Sequence, residues 1–326
     1  MKALQITQYG EIKDSLSINE IEKPSIQAND VLIEVKAASL NPIDYKLVEG
    51  HLKDMVPLNF PCTIAFDVSG VVVEKGAEVH NFEIGDEVYS RVPQQQMGTI
   101  AEYVAVNSEV VAKKPTNASF EEAASFPLIG LTAIQALERV GLKANDQVLI
   151  HAGSGGVGSF AIQYAKAKGA YVYTTTSTQN VNMVKALGAD RVIDYKTEDY
   201  KTIATDLDIV FDTLGKDYTL EAFQVIKEGG KVTSIVGPLD EETAKYMGMS
   251  DYKMPEELST LISEKSANYK LTWMQPNGEQ LKAIATMVEN GAIKPVVDKV
   301  YAFANSIEAY TYLATGRAKG KVVVSI

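Results

Sequence analysis

Val148-Leu149-Ile150-His151-Ala152-Gly153-Ser154-Gly155-Gly156-Val157-Gly158 reads as an apolar strand that runs directly into a glycine-rich turn and a helix. The Gly-x-Gly-x-x-Gly spacing answers three demands: a tight turn, backbone amides able to touch a pyrophosphate, and close packing of helix on strand. Such a pattern alone is common in loops. Here it lies between a strand and a helix and is followed by a second apolar strand, the context of a dinucleotide-binding turn. Gly153, Ser154, Gly155, Gly156 and Val157 are the expected cofactor contacts, the last three through their amides.

Outward from the turn the chain alternates. Helices are predicted at Phe120 to Phe126, Ile129 to Val140, Ser159 to Lys168, Val181 to Leu187 and Tyr218 to Val225. Strands are predicted at Ala170 to Thr175, Arg191 to Ile193, Leu207 to Asp212 and Gly230 to Val236. This alternation requires right-handed crossovers and a doubly wound parallel sheet of Rossmann type. A strand near Tyr269 to Met274 and a helix from Gly278 to Asn290 are expected to complete it.

The first third has another texture. Val-, Ile- and Tyr-rich segments at Met1 to Thr7, Asp30 to Ser39, Val68 to Lys75, Glu87 to Val92 and Ala101 to Val106 are separated by turn residues. Such spacing predicts a barrel-like antiparallel domain. The tail, Val296 to Phe303 and Lys321 to Ile326, is β-like again and is expected to rejoin it. The expected class is therefore α/β, with residues 1–123 and 294–326 in a β-rich domain and residues 124–293 in the nucleotide-binding one.

With 326 residues and a 46% hydrophobic share, the chain has the material for two cores. No stretch approaches about 18 uninterrupted apolar residues, and the N-terminus has no apolar signal core. A soluble, unexported, cytoplasmic protein is expected. A net charge of -11 disfavours nucleic acid and anionic membrane as partners, so any phosphate site must be local.

The choice between NAD and NADP turns on the end of the second strand, where an acid would bind the ribose diol. Thr174-Thr175-Thr176-Ser177-Thr178-Gln179-Asn180 carries none. Hydroxyls and an amide without a carboxylate suit a 2′-phosphate, whose charge an acid would repel. NADPH is the expected cofactor, with Ser177, Asn180 and Tyr195 at its 2′-phosphate.

A catalytic zinc was the competing expectation for a two-domain nicotinamide enzyme. Cys62 is the single cysteine, and His51, His80 and His151 are scattered with no metal-ligand spacing. No metal is expected.

The chain resembles the zinc-free quinone oxidoreductase branch of the medium-chain dehydrogenase/reductase superfamily along essentially its whole length. The carrying motifs are Asn41-Pro42-Ile43-Asp44-Tyr45-Lys46, Asp67-Val68-Ser69-Gly70, Phe82-Glu83-Ile84-Gly85-Asp86, Gly98-Thr99-Ile100-Ala101-Glu102-Tyr103, Asp212-Thr213-Leu214-Gly215 and the closing Gly320-Lys321-Val322-Val323-Val324. The resemblance implies a GroES-like catalytic domain and a homodimer extended through a strand near Tyr269 to Trp273. It places Asn41 where zinc alcohol dehydrogenases put their first ligand cysteine, and Phe66-Asp67 where their His-Glu pair stands. Ala65 departs from the usual glycine.

By that resemblance Asn41 and Asp44 are cleft residues near the nicotinamide and its ribose, and Thr132 reaches the ribose. Leu214, Ile235, Val236 and Gly237 line the nicotinamide and adenosine edges, and Arg317 contacts a cofactor phosphate. Lys46, with Tyr45 beside it, is expected either to face the developing oxyanion or to contact a cofactor phosphate or solvent. Without a Lewis acid, the fitting acceptor is a conjugated one, a quinone or an enone. The rival expectations are an NADPH-binding structural or sensing protein with little turnover, a zinc alcohol dehydrogenase and an enoyl-thioester reductase. Trp273, Phe66, Tyr45 and the segment Met247 to Pro255 are candidates to shape the substrate cleft.

Overall fold

The computed structural model describes residues 1–326. It divides them into two compact units, Met1–Leu131 with Pro276–Ile326, and Thr132–Gln275.

In Thr132–Gln275 six strands form one sheet in the order Arg191–Asp194, Tyr171–Thr176, Gln147–Ile150, Leu207–Asp212, Ile226–Ser234 and Asn268–Leu271. Every pairing is parallel. From Gln147–Ile150 the chain first winds to one side and then to the other. The reversal falls between Gln147–Ile150 and Leu207–Asp212, and it is at the carboxyl ends of strands flanking such a reversal that open α/β sheets bind their ligands. Val210, Val232, Phe223, Leu258 and Tyr269 fill one face of the sheet.

The other unit is β-rich and GroES-like. A seven-stranded sheet runs Val297–Ala302, Lys321–Ser325, Asp30–Leu40, Asp67–Lys75, Glu87–Arg91 and Val111–Lys113, with Tyr103–Asn107 also pairing with Asp30–Leu40. Lys2–Ile6 lies between Leu16–Glu20 and Cys62–Thr63 in a three-stranded sheet. The tail rejoins this unit as its sequence indicated: Lys321–Ser325 pairs antiparallel with Asp30–Leu40, from Val322 opposite Leu40 to Ser325 opposite Ala37. No helix is long and apolar enough to cross a membrane.

The expected boundaries at 124 and 293 move to 132 and 275. Helix Gly278–Glu289 does not complete the parallel sheet but packs in the β-rich unit. Leu281, Ile284 and Val288 are buried, Tyr89 Oη donates to the Leu281 carbonyl at 2.5 Å, and a Cβ on Gly278 would stand 2.4 Å from the Glu109 carbonyl. An apolar periodicity says that a helix buries one face; it does not say against what. The helix after the glycine turn begins at Gly156, inside the turn itself. Helix Pro42–Val48, inside a motif read only as sequence, also emerged here.

Candidate functional site

The glycine turn sits at the carboxyl end of Gln147–Ile150, beside the sheet's reversal. Its glycines are required for different reasons. A Cβ on Gly153 would stand 2.2 Å from Thr174 Oγ1, and one on Gly158 would stand 2.3 Å from the Ala152 carbonyl, so the protein itself forbids both. At Gly155 the nearest atom would be at 3.4 Å, an ordinary contact. Nothing in the fold demands glycine there. Ala152 enters the turn at φ +52, held by its amide on Thr175 Oγ1 at 3.2 Å.

Ser177 and Asn180 come together with the turn. Asn180 Nδ2 donates to Ser154 Oγ at 3.1 Å and to Ser177 Oγ at 3.3 Å. Asn180 Oδ1 and Thr176 Oγ1 are buried without a partner in the protein. Both serine hydroxyls donate as well as accept, so the amide can turn over and present its NH2 instead. Tyr195 is exposed at 57%, just past strand Arg191–Asp194.

The preceding residue was missed. Asp194 lies opposite Thr176 in the parallel register. A hydrogen bond from the Thr178 hydroxyl, with further ones from the Lys196 amide and Thr197, holds its carboxyl below the usual range. An acid therefore borders the acid-free loop from the neighbouring strand. Reading one strand end at a time hid it.

The next two strand ends are joined by Asp212, which is fully buried. It accepts from the Leu214 amide at 2.9 Å, the Gly215 amide at 2.8 Å, Thr219 Oγ1 at 2.6 Å and Ser234 Oγ at 2.8 Å. Ser234 Oγ in turn accepts from the Gly237 amide at 2.8 Å and the Val236 amide at 3.2 Å. One carboxylate thus fixes both loops that carry Leu214 and Ile235 to Gly237. Leu214 and Val236 remain 41% and 45% exposed, apolar groups held in the open at the sheet's carboxyl edge. Behind the turn, His151 is fully buried. Its ring stands edge-on to Tyr200 and Tyr218, Nδ1 reaches Thr175 Oγ1, and burial pulls its pKa down to about 4. Thr132 is buried, Trp273 is half-buried, and Tyr246 and Met249 stand exposed next to the loop through Pro255.

In the β-rich unit, Asn41, Asp44, Tyr45 and Lys46 share the start of helix Pro42–Val48. Asn41 stands at the helix N-cap, and its backbone N–H donates to Asp44 Oδ2 at 2.6 Å. Asn41 and Asp44 are each only 1% exposed, whereas Tyr45 and Lys46 are half-buried. Burial, and after it Glu49, raise the Tyr45 phenol. Burial likewise lifts the Asp44 carboxyl to about 7, against the opposing hydrogen bond from Asn41. Arg317 is exposed beyond helix Ser306–Ala314.

Around Asn41 lies a polar cluster that the sequence did not disclose. Asp67 Oδ2 accepts from Ser39 Oγ at 3.0 Å, Asn41 Nδ2 at 2.8 Å and Lys321 Nζ at 3.3 Å, while Asp67 Oδ1 takes the Leu128 amide at 2.9 Å. The Arg91 guanidinium lies over the Phe66 ring at 4.5 Å, its pKa drawn down to about 10 by burial. The cluster thus joins an amide and a carboxylate with an ammonium that answers the carboxylate's charge. His51 and His80 are exposed, and burial pushes the Cys62 thiol up to about 11. Ala65 adopts φ +77, the left-handed region where glycine is favoured.

Residues 27–116 match the family described as alcohol dehydrogenase GroES-like domain, and residues 187–324 the family described as zinc-binding dehydrogenase. The chain is similar to the 2-methylene-furan-3-one reductase of Solanum lycopersicum, at 35% identity over 99% of this chain and 79% of that protein. It is also similar to the chloroplastic NADPH-dependent alkenal/one oxidoreductase of Arabidopsis thaliana, 36% identical over 99% of this chain and 79% of that protein. Among solved structures, the quinone oxidoreductase from Coxiella burnetii matches with a TM-score of 0.86 at 35% identity, covering 100% of this chain and 99% of that one.

Proposed function

Because the chain belongs to the medium-chain dehydrogenase/reductase superfamily, beside its quinone and enone oxidoreductases, we propose that it is an NADPH-dependent, zinc-independent reductase of quinones or α,β-unsaturated carbonyls. The observation that carries this reading is Gly155, whose missing side chain serves no neighbour in the fold and clears the approach of a pyrophosphate to the first-turn amides of Gly156 and Val157, while the Gly155 amide itself is taken by the Ala152 carbonyl at 2.9 Å.

Bound NADPH supplies the hydride. Ser177, Asn180 and Tyr195 hold the 2′-phosphate, and the unpartnered Thr176 Oγ1 and the Asn180 amide offer the donors it needs. Leu214 and Val236, fixed by Asp212 and Ser234, give the nicotinamide an apolar seat and keep water from it. Thr132 and Arg317 add ribose and phosphate contacts. Tyr45, whose phenol burial keeps protonated, and Lys46 place a donor and a positive charge for the oxygen of a conjugated acceptor. Such an acceptor delocalises the arriving electron pair into an enolate or a hydroquinone anion, so no Lewis acid is required. Asn41 and Asp44 serve by holding the helix that carries Tyr45 and Lys46. Two copies pair through Asn268–Leu271, the strand that ends the six-stranded sheet.

The test is steady-state oxidation of NADPH and NADH against a panel of quinones, enals and enones, with and without a chelator. NADPH turnover indifferent to chelation is expected. A preference for NADH sinks the 2′-phosphate assignment, chelator-sensitive turnover sinks zinc independence, and tight NADPH binding with no turnover on the whole panel favours a sensing or structural role. Lys46→Ala should lower kcat and leave NADPH affinity intact; a fall in affinity instead makes Lys46 a phosphate contact.

A further inference from the structure

The closing Gly320-Lys321 pair has no part in the chemistry described so far, yet it reaches the most constrained point of the β-rich unit. Lys321 is 3% exposed. Its ammonium has three protons and three acceptors: the Leu40 carbonyl at 2.8 Å, Asn41 Oδ1 at 2.5 Å and Asp67 Oδ2 at 3.3 Å. The Asn41 amide is thereby held from both ends, its oxygen by the Lys321 cation and its nitrogen by the Asp67 anion. Gly320 makes the approach feasible. It adopts φ +80, and a Cβ there would stand 2.1 Å from the Val296 carbonyl, which accepts the Lys321 amide at 2.9 Å.

We propose that Lys321 is a positioning residue for the reduction: its ammonium locks the Asn41 cap, and so sets the helix Pro42–Val48 from which Tyr45 and Lys46 act on the acceptor. The inference rests on the function proposed above for Tyr45 and Lys46. Its physical content is that a helix start 280 residues away in sequence is held by a fully satisfied internal cation. Burial weakens the ammonium while Asp67, bonded to it, holds it charged. A buried charge with ideal partners fixes geometry, because any other arrangement strands it.

Two variants separate positioning from bulk stability. Lys321→Met leaves Asp67 facing one cation fewer, and it should lower both the thermal midpoint and kcat. Lys321→Met combined with Asp67→Asn removes both charges, so the midpoint should recover. In the double variant kcat should stay down by about tenfold or more, because Asn41 Oδ1 still lacks its donor. NADPH affinity, which belongs to the glycine turn, should not change in either. Hydrogen exchange followed by mass spectrometry should show faster exchange across residues 41–48 in both variants and wild-type protection across residues 153–167.

Turnover that recovers together with stability in the double variant makes Lys321 a merely structural residue and overturns the proposal. Unaltered exchange across residues 41–48 in that variant does the same. Wild-type protein inactive on every quinone and enone defeats the proposed function instead, and the exchange pattern then still decides whether Lys321 holds the helix.

Discussion

Asp67 and Asp212 are carboxylates of equal burial at opposite ends of their strands, one opening Asp67–Lys75 and the other closing Leu207–Asp212. The fold answers them differently. Asp67 faces charge, with the Lys321 ammonium bonded to it and the Arg91 guanidinium nearby. Asp212 faces only neutral donors, two backbone amides and two hydroxyls. On the proposed function, the unit that would receive a polyanionic cofactor orders these loops with neutral donors, without adding free charge beside the anion. The unit proposed to orient side chains for reaction uses paired charge, which fixes direction more strongly because the penalty for breaking it is larger.

The sharpest way to break this contrast is truncation of Asp67. Asp67→Ala strands a buried ammonium, and a loss of about 3–5 kcal/mol is expected from urea unfolding. Asp212→Asn keeps the shape but turns one accepting oxygen into a donor facing other donors, for which about 1–3 kcal/mol is expected. The second change should also weaken NADPH binding by loosening Leu214 and Val236, whereas the first should leave it alone. Equal losses from the two, or cofactor affinity that follows Asp67, would remove the distinction between charged and neutral anchoring.

Acidification probes the same contrast with opposite signs. Asp44, raised from 3.8 to about 7, holds a proton in the folded state that the unfolded chain has lost. Its contribution is complete below pH 3.8 and declines by up to about 1.4 kcal/mol per pH unit until it is gone above about pH 7. His151, lowered from 6.5 to about 4, contributes above pH 6.5 and loses it as pH falls toward 4. Between pH 4 and 6.5 the β-rich unit should therefore gain resistance to opening while the nucleotide-binding unit loses it. Hydrogen exchange resolved by segment reads this directly, and Asp44→Asn and His151→Phe should each flatten the slope of their own unit only. Parallel slopes in both units would contradict it.

What could be read beforehand follows the same division. The glycine turn was legible because its demands are local: Gly153 and Gly158 are dictated by neighbours within the same strand-turn-helix and the next strand. The parallel sheet was legible from alternation alone. Gly320-Lys321 was visible as a motif, but its partners lie 254 and 280 residues away, and no periodicity links them. Asp212-Thr213-Leu214-Gly215 likewise stood out, while the service Asp212 gives to the loop at Val236 depends on Ser234 of the next strand. Helix Gly278–Glu289 shows the same limit, since its buried face was clear and its host was not.

The smallest expected effect concerns the residue that the loop-by-loop reading missed. If the nucleotide-binding unit keeps charge away from the cofactor, Asp194 is its exception, for it stands opposite Thr176, bonded by Thr178, Thr197 and the Lys196 amide, with the Lys196 ammonium near enough to offset its charge in part. Asp194→Asn should then tighten NADPH binding severalfold and leave NADH unchanged, with the gain shrinking as salt screens the phosphate. Titration of both nucleotides by fluorescence at low and high ionic strength measures it. Weaker NADPH binding in the variant would reverse the assignment: the carboxylate would then be ordering Thr178 and the Lys196 amide around the 2′-phosphate, anchoring by neutral donors as Asp212 does one crossover away.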